Sequence, residues 1–118
     1  MNEAGLDYYS RLIDALLARG VTPYATLFHW DLPLALEGGW SNRETALRFG
    51  DYARVVAERL GDRLKHIVVL NEAAVHAVLG HVYGTHAPGL TDASLMAGAI
   101  HHQNLAQGLS IQAMRSVR

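Results

Sequence analysis

Asn71 and Glu72 stand side by side just after the apolar run Ile67-Val68-Val69-Leu70, and His29-Trp30-Asp31-Leu32-Pro33 follows the β-branched and aromatic stretch Val21 to Phe28. An imidazole, an indole, a primary amide and a carboxyl group form a set suited to a sugar. Hydroxyls are read by paired donors and acceptors, and the apolar face of a pyranose stacks on an aromatic ring. A glutamate enclosed by apolar side chains at a strand end has its charged form disfavoured, which suits a proton donor. On residue pattern alone, a strand-end Glu or His is more often a loop cap or an ion-pair partner, so pattern leaves catalysis as one option among several.

Other candidates read more simply. His76, His81 and His86 recur at five-residue spacing, which does not return to one helix face, and no H-E-x-x-H accompanies them. They are expected to be loop hydrogen-bonders, with no metal. Adjacent His101 and His102 point to different faces of a helix. Asp31 is expected to shape the turn after its strand, Trp40 to anchor a glycine-rich loop, and Tyr8, Tyr9 and Tyr52 to pack.

The elements that must position these groups alternate along the chain. Leu6, Tyr9, Ile13, Leu16 and Leu17 repeat at spacings of three and four, predicting an amphipathic helix stopped by Gly20. Val21 to Phe28 predicts a strand. Glu37-Gly38-Gly39-Trp40 is a loop, and Ser41 with Glu44 has the form of a capping box opening a second helix that ends near Gly61. His66 to Leu70 predicts a second strand, and Ile67-Val68-Val69-Leu70 is apolar on both faces, as buried parallel strands are. A loop with Gly80, Gly84 and Pro88-Gly89 is expected next, and Thr91-Asp92 is expected to open a last helix carrying Leu95 to Val117. The order is α-β-α-β-α in one domain over residues 1–118. Carboxy-terminal strand ends are where α/β folds carry their sites, and both polar clusters fall there.

Composition narrows the function classes. The 118 residues carry a formal net charge of -1, half are hydrophobic and none is cysteine. That balance belongs to a folded domain with no electrostatic footprint for nucleic acid or anionic lipid. Disulfides, thiolate metal sites and a cysteine nucleophile are excluded. The start lacks the basic and apolar regions of a secretory signal, and no apolar run nears the roughly 20 residues that span a bilayer, so a cytoplasmic location and no membrane partner are expected.

Taken in order, Leu27-Phe28-His29-Trp30-Asp31-Leu32-Pro33, Gly38-Gly39-Trp40-Ser41-Asn42-Arg43-Glu44, Leu60-Gly61-Asp62-Arg63-Leu64-Lys65-His66 and Leu70-Asn71-Glu72 resemble family 1 glycoside hydrolases, the β-glucosidase family. His86-Ala87-Pro88-Gly89 and Ala113-Met114-Arg115 extend the resemblance over nearly the whole chain. The resemblance implies a partial (β/α)8 barrel, from the barrel's second helix through its fourth. It implies retaining hydrolysis of β-glucosides without a cofactor, with Glu72 as general acid/base, Asn71 on the sugar 2-hydroxyl, and His29 and Trp30 at the glycone.

Several positions depart from the family pattern: Ala73 replaces a proline, Leu34 a glutamine, His81 a tyrosine and Gln107 a histidine. The E-N-G nucleophile motif does not occur in the 118 residues. The chain therefore reads as a segment holding half of a carboxylate pair, with weak or no turnover expected of it. The alternatives are a non-catalytic self-assembling barrel segment and a weak sugar-binding module. Two strands leave open edges and an uncovered inner face, so a homo-oligomer is expected, a tetramer first and a dimer second.

Overall fold

The computed structural model describes residues 1–117. Six regular elements follow one another: α1 (Glu3–Leu17), β1 (Tyr24–Phe28), α2 (Arg43–Leu60), β2 (His66–Leu70), α3 (Ala73–His81) and α4 (Met96–Ser116). Single 3-10 turns at Gly39–Ser41 and Ala93–Leu95 lead into α2 and α4. β1 and β2 pair in parallel, with Tyr24 opposite His66 and Phe28 opposite Leu70. A parallel pair needs a long crossover, and α2 supplies it. The α/β reading with two parallel strands therefore holds, and the sheet is an open two-stranded one.

Paired residues of a parallel ladder share a face, so the two faces can be read separately. Ala25, Leu27 and Ile67 turn toward the helices, against Ile13, Val56, Leu60 and Leu64. The opposite row is open: Tyr24 is 70% and Val68 47% exposed, and Thr26 and His66 are exposed beside them. At the end of that row Phe28 is buried, with Trp40 and His76 edge-on to its ring at 5.2 and 5.1 Å.

The main core lies between α2 and α4. Ala46, Ala53, Ala99 and Ala106 are fully buried, and a Cβ at Gly50 would stand 3.3 Å from Leu109 Cβ. Small residues let the two helix backbones approach closely, while Phe49 and Trp40 fill the space beyond. Trp40 is the loop anchor that its position suggested; it is buried, and its carbonyl accepts from His102 Nδ1 at 2.8 Å.

Three local expectations need correction. The capping box does not form. The 3-10 turn carries Ser41 past the cap, its hydroxyl has no partner among the described residues, and Asn42 Oδ1 accepts from Glu44 N–H instead. Residues 73–81, expected as loop, are helical, because Ala73, Ala74, Ala77 and Leu79 favour helix without a polar face to mark the period. At the last helix, Asp92 caps the 3-10 turn by accepting from Ser94 N–H, and the α-helix begins at Met96.

Candidate active site

The carboxy-terminal ends of β1 and β2 lie next to each other, and the four expected site residues meet there. Asn71 N–H donates to Phe28 O at 3.0 Å, extending the ladder by one rung beyond the strands. Asn71 Nδ2 lies 3.4 Å from His29 Nε2. Trp30 Nε1–H donates to Asn71 O at 2.9 Å. Glu72 is next in the chain and opens α3 from the left-handed region, at φ 45° and ψ 60°. Its side chain makes no capping bond to the helix, so the carboxylate is not occupied in holding α3.

Two of the three histidines are not loop residues. His76 and His81 lie on α3 and are buried, while His86 is exposed in the following loop. Phe28, Trp30 and His81 surround His76, with ring centroids 5.1, 6.3 and 5.9 Å away. Burial pushes the His76 imidazole down to about 4, nearby His81 adds to this, and a backbone hydrogen bond at Ala87 opposes it. His76 is thus a neutral ring beneath Trp30, with Nδ1 unpartnered among the described residues. His81 Nδ1 lies 3.1 Å from Ala77 O. No group of three or more His, Asp or Glu among the described residues could hold a metal ion.

Glu72 differs from expectation in its surroundings: it is exposed, not enclosed. Enclosure needs side chains above the strand ends, and β1 and β2 bring only the floor. Asp31 is exposed and lines a groove of about 1010 Å³ between α1, β1 and α2, together with Arg48, Asp51 and Tyr52. Tyr8, Tyr9 and Tyr52 are more than two-fifths exposed, and Tyr9 and Tyr52 line that groove. Burial raises the Tyr52 phenol, with Tyr9 and Asp31 adding to the effect.

Sequence reasoning missed Gln103. It is fully buried on α4, and its Nε2 reaches Ala99 O at 3.3 Å and Ala73 O, just after Glu72, at 3.4 Å. A long polar side chain spaced among the alanines of a predicted helix was the available signal.

No helix among the described residues is long and apolar enough to cross a membrane. The profile described as "Glycosyl hydrolase family 1" matches residues 1–118. Beta-glucosidase A of Thermotoga maritima is 47% identical over 117 residues, covering 98% of this chain and 26% of that protein. The Beta-glucosidase of an Agrobacterium species is 50% identical over 119 residues, covering 99% and 26%. Among solved structures, the family 1 β-glucosidase of T. maritima in complex with isofagomine lactam matches with a TM-score of 0.95 at 46% identity, covering 99% of this chain and 27% of that one. The virulence factor SghA with its substrate analog salicin gives 0.95 at 49% identity, covering 99% and 26%. The chain spans about a quarter of the length of these relatives.

Proposed function

The chain belongs to glycosyl hydrolase family 1, and from that membership we propose that residues 29–30 and 71–72 form part of a β-glucoside site with Glu72 as general acid/base. One observation supports this most directly: the two strand ends are tied into a single polar floor by the contacts of Asn71 with His29 and Trp30, and Glu72 follows with its carboxylate uncommitted. In retaining hydrolysis an acid of this kind protonates the leaving oxygen while a carboxylate about 5–5.5 Å away attacks the anomeric carbon. Water then displaces the enzyme from the sugar, and the first residue returns as base. In the proposal Asn71 binds the 2-hydroxyl, and His29 and the Trp30 ring face the glycone. The nucleophile lies outside the 118 residues.

The test is a titration of the 118-residue chain with glucoimidazole, followed by NMR, beside an aryl β-glucoside assay. The amides of His29, Asn71 and Glu72 are expected to shift with ligand, and turnover to be slow or undetectable. Absence of any response at millimolar ligand, or turnover that survives Glu72→Gln, would overturn the reading.

The open face of the sheet favours a second reading beside it, self-association. Tyr24 and Val68 expose apolar surface, and four copies of two strands would supply the eight that close a barrel.

A further inference from the structure

Trp30 and Glu72 are the non-glycine residues at positive φ among the described residues, at 79° and 45°. An L-residue enters this region at a cost, because its Cβ crowds a neighbouring carbonyl. Two such residues have been brought together from different strands, and the indole N–H of the first donates to the carbonyl of the peptide that leads into the second, at 2.9 Å.

The geometry of that peptide explains what the bond does. The Asn71–Glu72 unit is planar and rigid. Its oxygen is held by the Trp30 indole, and Asn71 N–H on its near side is held by Phe28 O at 3.0 Å. The peptide after Glu72 is held too, since Glu72 O accepts the first bond of α3 from His76 N–H at 3.0 Å. With both flanking planes fixed, φ and ψ of Glu72 are fixed, and so is the direction in which its side chain leaves the backbone. The indole is itself braced, with His86 and His76 at 5.2 and 6.3 Å. Its single donor is used inside the protein and is not free for a sugar hydroxyl.

We infer that Trp30 is the positioning residue of Glu72, aiming the carboxylate through the Asn71 carbonyl. The value of that aim rests on the acid/base reading above, but the bond and its effect on the backbone can be tested without it.

The experiment is NMR on the 118-residue chain. The Trp30 indole N–H is expected to exchange slowly with solvent and to show scalar coupling across the hydrogen bond to the Asn71 carbonyl carbon. Trp30→Phe keeps an aromatic ring and removes the donor. Glu72 should then lose the strong intraresidue amide–Hα NOE of a positive φ, while methyl signals of the α2–α4 core stay in place. Relaxation of Glu72 out of the strained region offsets part of the lost bond in the parent, whereas glycine has no strain to relieve, so Trp30→Phe should lower the urea midpoint more in a Glu72→Gly background than in the parent chain. A Glu72 that keeps its NOE in Trp30→Phe, or equal midpoint shifts in the two backgrounds, overturns the inference. If Trp30→Phe fails to fold, the coupling in the parent chain decides: its presence supports the inference and its absence defeats it. A missing glucoimidazole response with these backbone results intact counts against the sugar-site reading alone.

Discussion

The Tyr24 ring lies flat on His66 across the β1–β2 pair, with centroids 4.3 Å and planes 8° apart, although Tyr24 is 70% exposed. The stack continues into Thr26 and Val68 as a row of side chains with nothing over it. Each 100 Å² of such apolar surface forgoes about 2.5 kcal/mol if left in water. Light scattering after size exclusion is therefore expected to find an oligomer at micromolar concentration, with four copies the first choice. Tyr24→Lys together with Val68→Lys should shift it toward monomer by placing charge on the shared face. A stable, well-folded monomer of the unaltered chain would sink this expectation.

The layout was readable because periodicity reports burial. The apolar runs at Val21 to Phe28 and Ile67 to Leu70 gave the strands, and the spacing of three and four gave α1, α2 and α4. Helix α3 was hidden for the same reason: it is covered on several sides and has little polar contrast to mark a period. The site residues were readable as motifs, but their contacts were not. That Trp30 spends its N–H on Asn71 O depends on where two strand ends meet, and no local pattern encodes this. Nor could residue type reveal that Glu72 is exposed, since exposure depends on what lies above the sheet.

His76 is expected to make stability depend on pH. Its folded-state pKa, about 4, lies below the ordinary 6.5, so the unfolded chain takes up the proton first as pH falls. The contribution is fully present above pH 6.5 and is lost progressively down to pH 4, on the order of 2–3 kcal/mol. Urea midpoints measured between those values should fall more steeply for the parent chain than for His76→Leu. Parallel curves would show that His76 is not held neutral.

Gly80 lies where α3 meets the loop that folds back over it. A Cβ there would stand 2.5 Å from Ala87 O and 3.0 Å from Pro88 Cδ, whereas Gly98 and Gly108 on α4 have nothing within 4 Å. Gly80→Ala is expected to cost about 1–3 kcal/mol through overpacking. Gly98→Ala or Gly108→Ala should instead gain roughly 0.5–1 kcal/mol from helix propensity. Thermal melts of the three variants separate these outcomes, and a neutral Gly80→Ala would mean that the loop is not seated on α3.

Glu72 occupies a backbone conformation that suits glycine, and its side chain caps nothing in α3. Glu72→Gly is expected to stabilise the chain by about 1 kcal/mol, and Glu72→Gln to be neutral within about 0.5 kcal/mol. Chemical denaturation checks both. A loss of several kcal/mol with Gln would make Glu72 a structural ion-pair member.

Helix α1 is attached differently from the rest. Ile13 is its buried residue, Leu6 packs against the same cluster, and the helix is also tied by the Arg59–Glu3 pair at 2.9 Å and by Arg63, which reaches Asp14 and, at 3.1 Å, Ser10. Arg59 holds the Glu3 carboxyl below its usual range, but both partners are exposed, so salt weakens the tether. The helix is thus expected to behave as a separate foldon on a short leash, lifting from the α2–α4 body by a subglobal opening smaller than global unfolding. Its amides are expected to exchange faster than those of α2 and α4, and ionic strength, which scarcely touches the alanine-lined contact of α2 with α4, becomes the variable that decides how often α1 lifts away.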